Sequence, residues 1–526
     1  MAEAWQIVTQ QLVPDGPRDK WPPAAANFDD AGPQHAGFNR PTRYEGEVQN
    51  LEINGTIPKE IAGTFYRVMP EPAFVPFVKN DIWLNGDGVV SAFRIKDGHI
   101  DFSQKFVQTE KLQREKEERR ALLGKYRNKF TDLVTFQERT VANTSVIPFK
   151  GKILALKEDG KPYAMDPSSL ATLGIFDFDG QLEGETFTAH PKYDAKTREL
   201  LAFGYEAKGV GSKDIFYMSI DQHGKMTEKV WFEAPFCGFQ HEMAITENYV
   251  IFPVAPMECT LENLKAGGNH WVWTSERPYY IGVLPRRGAT AADVKWFYGI
   301  NAYTAHVANA YEEDGQIKLF MTLAPGNAFG FFPDEKGESP PIGTVPSRLT
   351  EWTIDPKATD LKLKDPMPLI EELDEFPRID DRVMGYPSRY VYGNLMDFTP
   401  GKTDWESCVP KFGGGVPYLN TIFKYDHKTG KLEKYSNGPH RFFQEPQFIP
   451  RSPTAAEGDG YLVALVNNLE EMSSELVIID CNDFTNHVAL ARLPVRLRAG
   501  FHGSWVDDGD IDGRPIPAAK ELPVRD

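Results

Sequence analysis

Cysteine is scarce in this chain: four among 526 residues, at Cys237, Cys259, Cys408 and Cys481, with no CxxC spacing. So thin and scattered a set makes neither a zinc knuckle nor a disulfide framework, and it suits a reducing compartment. An excess of positive charge is missing too. Lys and Arg number 58 against 75 Asp and Glu, a formal charge of -17, which argues against nucleic acid as principal partner. No stretch approaches the roughly 18 apolar residues of a membrane-spanning helix, and the opening MAEAWQIVTQQLVPDG lacks the basic-then-apolar pattern of a secretion signal. The chain is expected to be cytoplasmic, so the sequons at Asn54 and Asn143 carry no meaning. Its composition leaves the oligomeric state open.

What is present is turn chemistry. The chain holds 44 Gly and 40 Pro, and from about residue 45 to 510 short β-like runs end in turn residues. In TIFKYDHKTGKLEKYS, and around the KDG and EEDG turns, alternating apolar and polar residues flank the turn, the pattern of a hairpin. Residues 1–45 read as an arm with little regular structure, and 46–526 as one β domain. One segment departs from this: EKLQREKEERRALLGKYRNKF (110–130) is rich in helix formers, with Leu112, Leu122 and Leu123 as buried contacts and its charges on a solvated face. Strands at short spacing over so long a region, with neither WD nor kelch signatures, predict a propeller or a large sandwich. A propeller grows by adding blades and so escapes the usual ceiling on domain size.

Four of the eleven histidines share a context. His190, His241 and His306 each precede a short segment, a polar turn and an apolar run, and His502 stands in the similar GFHGSWV. The first three are 51 and 65 residues apart, about one blade each, and the last interval of 196 spans about three more. Inner strands of a propeller face its axis, so histidines at equivalent places would converge there. Imidazole is the commonest neutral metal ligand, and four of them on an octahedral ion leave positions open for small molecules. The alternative is that each is a core histidine bonded to backbone. Other motifs fail: Ile245 stands where HExxH needs its second histidine after His241-Glu242, and GxSxG and GxxxxGK[ST] are absent.

With these contexts, IAGTFYRVMPEPAF, LNGDGVVSAFRI, LALKEDGKPYAMD, EFPRIDDR and EPQFIPR make the chain resemble the carotenoid cleavage oxygenases, and within them the stilbenoid-cleaving dioxygenases. The resemblance implies an all-β, seven-bladed propeller capped by loops and short helices. It implies Fe(II) held by His190, His241, His306 and His502, with O2 as co-substrate. It also implies three glutamates bonded to ligand imidazoles, at Glu158, Glu375 and Glu445, which fix tautomer and ring orientation.

In KILALKEDG, alternation puts Ile153, Ala155 and Lys157 on one face and Leu154, Leu156 and Glu158 on the other. A lysine on an apolar face is costly unless it meets an anion or snorkels to water. In stilbene-cleaving relatives, a lysine here and a tyrosine matched by Tyr126 grip the substrate's 4'-hydroxyl, and Phe74 is a further candidate for packing against its ring. The implied activity is cleavage of the central C=C bond of a 4'-hydroxystilbene such as resveratrol to two aromatic aldehydes. A carotenoid or apocarotenoid oxygenase, and a metal-free propeller serving as a binding platform, are the alternatives.

Overall fold

The computed structural model describes residues 18–341, 344–414 and 418–511. Seven sheets, each a run of neighbouring antiparallel strands, form a seven-bladed β-propeller. The blade Lys192–Asp194, Glu199–Tyr205, Asp214–Ile220, Met226–Glu233 shows how the residues dictate it. Asp194 ends its first strand and accepts from the N–H groups of Lys196 and Thr197, which closes the turn. Asp426 does the same for Lys428 in the DHKTG turn, where Gly430 takes φ +70°.

Both faces of a strand within a blade are buried. Leu200 and Ala202 enter one hydrophobic core, while Leu201, Phe203 and Tyr205 enter the neighbouring one. Ile153 and Ala155 likewise separate from Leu154 and Leu156, as alternation predicts. Blades thus bury apolar side chains against both neighbours, each worth about 1.5–3 kcal/mol, so the cores run round the ring.

The ring is shut by strand exchange. Gly503–Asp507 pairs with Gly63–Arg67 and becomes the inner strand of the first blade. Glu52–Gly55 pairs with Ala489–Arg492 and extends the last one. Of the stretch read as an arm, residues 1–17 lie outside the described residues. Residues 28–39 carry three 3-10 turns; Phe38 is fully buried, and Arg496 donates to the Gly37 carbonyl at 2.6 Å.

The charged segment 110–130 differs from its sequence reading. Its helix is only Glu110–Glu118, because Arg119 takes a left-handed φ of +53° and caps it. Only part of its charge is on a solvated face: Lys116 and Glu117 are exposed, but Glu110, Lys111, Arg114 and Glu115 are all buried. Lys111 is paired with Asp87 and Glu115 at 2.8 Å each, and Glu115 accepts from the N–H groups of Leu122 and Leu123. Asp87 comes from a distant strand, which helix propensity does not report. The chain beyond the helix runs on as turns, with Leu122, Leu123 and Tyr126 buried.

Candidate metal centre and its cavity

Each of the four histidines enters an inner strand of a different blade. His190 lies two residues before Lys192–Asp194, His306 and His502 immediately before Val307–Glu313 and Gly503–Asp507, and His241 between Gly238–Phe239 and Ala244–Ile245. The structure brings all four together, with one ring nitrogen from each within 4.8 Å of the others. Nε2 of His190 is 2.9 Å from that of His241, and Nε2 of His306 is 3.2 Å from that of His502.

The other three blades present carboxylates to this group. Glu158 follows the strand Lys152–Leu156, Glu375 lies within Leu373–Arg378, and Glu445 bridges Arg441–Phe443 and Gln447–Pro450. Their oxygens accept from Nδ1 of His241 at 3.3 Å, His306 at 2.5 Å and His502 at 2.8 Å. Since a carboxylate only accepts, each Nδ1 carries the proton and each Nε2 offers a lone pair. Lone pairs facing one another at 3.2 Å repel unless a cation sits among them. The donor set therefore fits a metal ion. Burial opposes ionisation of Glu158 and Glu445, but their imidazole partners and nearby arginines outweigh it and hold both at about 2.

His190 is the exception. The nearest carboxylate oxygen, on Glu242, is 3.9 Å from its Nδ1 and is already paired with Lys192. Burial, and then the other three imidazoles, push His190 well below its ordinary value, which keeps it neutral.

On one side of the imidazoles lies a cavity of about 170 Å³. Its walls are aromatic: Trp83, Phe239, Tyr303, Phe329, Phe376 and Phe501, beside His241, His306 and His502. Phe376 reaches it from a β-bulge between Glu375 and Arg378, at a left-handed φ of +55°, and its ring stacks on His306 with centroids 5.0 Å apart. The other side holds only about 20 Å³, room for about one water, among Lys192, Glu242, Arg378 and Asp381.

Tyr126 and Lys157 both line the aromatic cavity. Lys157 does not snorkel: it is 3% exposed, its Nζ is 3.0 Å from Asp159 Oδ2, and it lies 4.9 Å above the Tyr126 ring. Burial draws its pKa down, with Asp159 opposing. Burial and the Glu158 charge raise Tyr126 well above the usual phenol value, so it is a neutral donor. Phe74 is not brought to the cavity. The Pro-rich turn after Gly63–Glu71, held by the Ala73 N–H on Asp87, packs it against the core of the first and last blades. The wall aromatics escaped sequence reasoning, although three sit within two residues of a site residue, in FQH, EF and FH.

A family model described as retinal pigment epithelial membrane protein matches residues 39–507. The chain belongs to the carotenoid oxygenase family. It is 51% identical to carotenoid cleavage oxygenase 1 of Neurospora crassa, over 97% of this chain and 96% of that one. It is 50% identical to resveratrol cleavage oxygenase 1 of Aspergillus fumigatus, over 91% and 96%. The crystal structure of Pseudomonas brassicacearum lignostilbene dioxygenase superposes with a TM-score of 0.86 at 41% identity, covering 90% of this chain and 98% of that one. The protein is therefore an enzyme of the oxygenase class. Among the described residues, no helix is long and apolar enough to cross a membrane.

Proposed function

We propose that this protein is an Fe(II)-dependent dioxygenase that cleaves the central double bond of 4'-hydroxystilbenes, such as resveratrol, into two aromatic aldehydes. The observation that carries the reading is a buried lysine and tyrosine sharing an aromatic-rich cavity with three of the four imidazoles. His190, His241, His306 and His502 would hold the iron, which when bound supplies activation of O2. Glu158, Glu375 and Glu445 hold three of these rings in the ligating tautomer.

The chain's own residues do the rest. The aromatic walls take the flat substrate and exclude water. Tyr126 donates to the 4'-hydroxyl oxygen, and the Lys157 cation beside it lowers the phenol's pKa. Charge on that oxygen passes through the conjugated rings to the central alkene and makes it nucleophilic toward oxygen. Asp159 keeps Lys157 from turning away. A protein of this kind would work in the cytoplasm, on a small aromatic molecule.

Anaerobic reconstitution with Fe(II), followed by resveratrol and air, tests the reading: two aldehydes form in equal amounts, and O2 is consumed. The name of the Neurospora relative favours a second reading, carotenoid or apocarotenoid cleavage. Side-by-side assay separates the two, since turnover of a polyene without hydroxyls, and none of resveratrol, would establish the second.

A further inference from the structure

A second cluster of reactive side chains lies behind the cavity wall, and the proposed reaction does not use it. Cys237 precedes the strand Gly238–Phe239 and Cys259 follows Tyr249–Glu258, so the two meet across a ladder in which Cys259 N–H donates to the Cys237 carbonyl at 2.9 Å. Both sulfurs and a Glu206 carboxylate oxygen lie within 4.8 Å of one another. His270 adjoins the group through Glu206. Its Nδ1 is 2.9 Å from the Arg127 carbonyl, and its Nε2 is 3.0 Å from Glu206 Oε2. Both partners can only accept, so both ring nitrogens carry protons.

Arg127, whose Nη2 is 2.5 Å from Glu206, and His270 are two buried cations that share Glu206, with the Glu158 carboxylate also acting on Arg127. The His270 cation near Cys259 favours its thiolate. The adjacent Cys237 thiol, and then the His270 cation, hold Cys259 below its ordinary value against burial and the Glu206 charge. Glu206 is no free metal ligand, because Arg127, His270 and the Gly211 N–H already occupy its oxygens.

We propose that Cys237 and Cys259 are a peroxide-reactive dithiol that closes to a disulfide behind the Tyr126–Arg127 segment. The Cys259 thiolate attacks hydrogen peroxide: an S–O bond forms, the O–O bond breaks, and the leaving hydroxide takes the His270 proton to become water. The Cys237 sulfur then displaces the second oxygen from Cys259, an S–S bond forms, and its thiol proton leaves with that oxygen as the second water. Two thiols are oxidised and one peroxide is reduced. Closure strips the charge from His270, whose Nδ1 holds the Arg127 carbonyl, one residue from Tyr126. This last link rests on the phenol-gripping role proposed for Tyr126; the thiol chemistry does not.

The test treats the iron-loaded full chain with stoichiometric hydrogen peroxide and follows free thiols, intact mass and disulfide-linked peptides. The expected result is loss of two of the four thiols and of two hydrogens in mass, with a Cys237–Cys259 linked peptide reversed by dithiothreitol. In C237S, dimedone traps a sulfenic acid on Cys259. After peroxide is removed and iron restored, the KM for resveratrol rises roughly fivefold in the oxidised enzyme, the worth of one hydrogen bond. It returns on reduction, and C237S does not show the rise. Unreacted Cys237 and Cys259, faster loss of Cys408 or Cys481, or stoichiometric zinc on the pair would overturn the dithiol. A confirmed disulfide with unchanged KM would overturn its coupling to the cavity. An enzyme that forms the disulfide but never cleaves resveratrol refutes the functional reading and leaves the dithiol standing.

Discussion

The two sides of the imidazole quartet are built from different materials. One is an aromatic-rich cavity that carries Lys157 beside Tyr126; the other is a nearly filled nest of Lys192, Glu242, Arg378 and Asp381. Three rings are held by carboxylates, and the fourth, His190, is held mainly by packing. The contrast teaches a division of labour. The polar side stabilises a charged centre and leaves room for about one water, while the apolar side leaves space and places a cation where a phenol would meet it.

The strongest way to break this division is at the centre itself. His306→Ala leaves three imidazoles and a Glu375 without its imidazole partner; iron content measured by elemental analysis falls sharply, and kcat drops at least about a thousandfold. On the cavity side, Lys157→Met lowers kcat/KM for resveratrol by about a hundredfold, the worth of a charge-assisted hydrogen bond, and far less for a 4'-methoxy analogue. The sign of its pH dependence follows. A phenol titrates near pH 10, and a neighbouring cation lowers that value, so without Lys157 the residual rate climbs as pH rises toward about 10.

Glu375→Gln keeps the shape beside His306 and loses the charge, so iron affinity falls by about tenfold, read by competition with a chelator. Tyr126→Phe removes one neutral hydrogen bond and costs about five- to tenfold in kcat/KM. Lys192→Met sharpens the comparison from the polar side. It removes the cation paired with the buried Glu242, which keeps the Val307 N–H, and lowers stability by about 3–5 kcal/mol in denaturant unfolding, yet the ratio of rates on resveratrol and its 4'-methoxy analogue stays within about twofold. A change in that ratio would refute the division of labour.

Turn chemistry and alternation made the β architecture legible, because Asp194 and Asp426 act locally and alternation assigns the two faces of a strand from the sequence itself. The shared contexts of His190, His241, His306 and His502 were legible for the same reason, each standing before an inner strand. Glu158, Glu375 and Glu445 could be picked out only by family resemblance, since nothing near them in the chain distinguishes them among 75 acidic residues. The cavity wall was harder still. Trp83, Tyr303, Phe329 and Phe501 come from four separated segments and converge only in the closed ring, while Phe74 in its proline-rich turn looked equally suitable. The helix at Glu110–Glu118 misled because propensity reports what a segment can form, not that Asp87 waits to pair with its lysine.

Strand exchange gives the centre an unusual dependence. His502 reaches the axis only when Gly503–Asp507 zips onto Gly63–Arg67, so the quartet is complete only in a circle already fastened. An ion that binds all four rings and no open form of the chain must therefore favour the fastened circle by mass action. The metal would then be a clasp as well as a reagent, and its removal would loosen the seam between the first and last blades before any other.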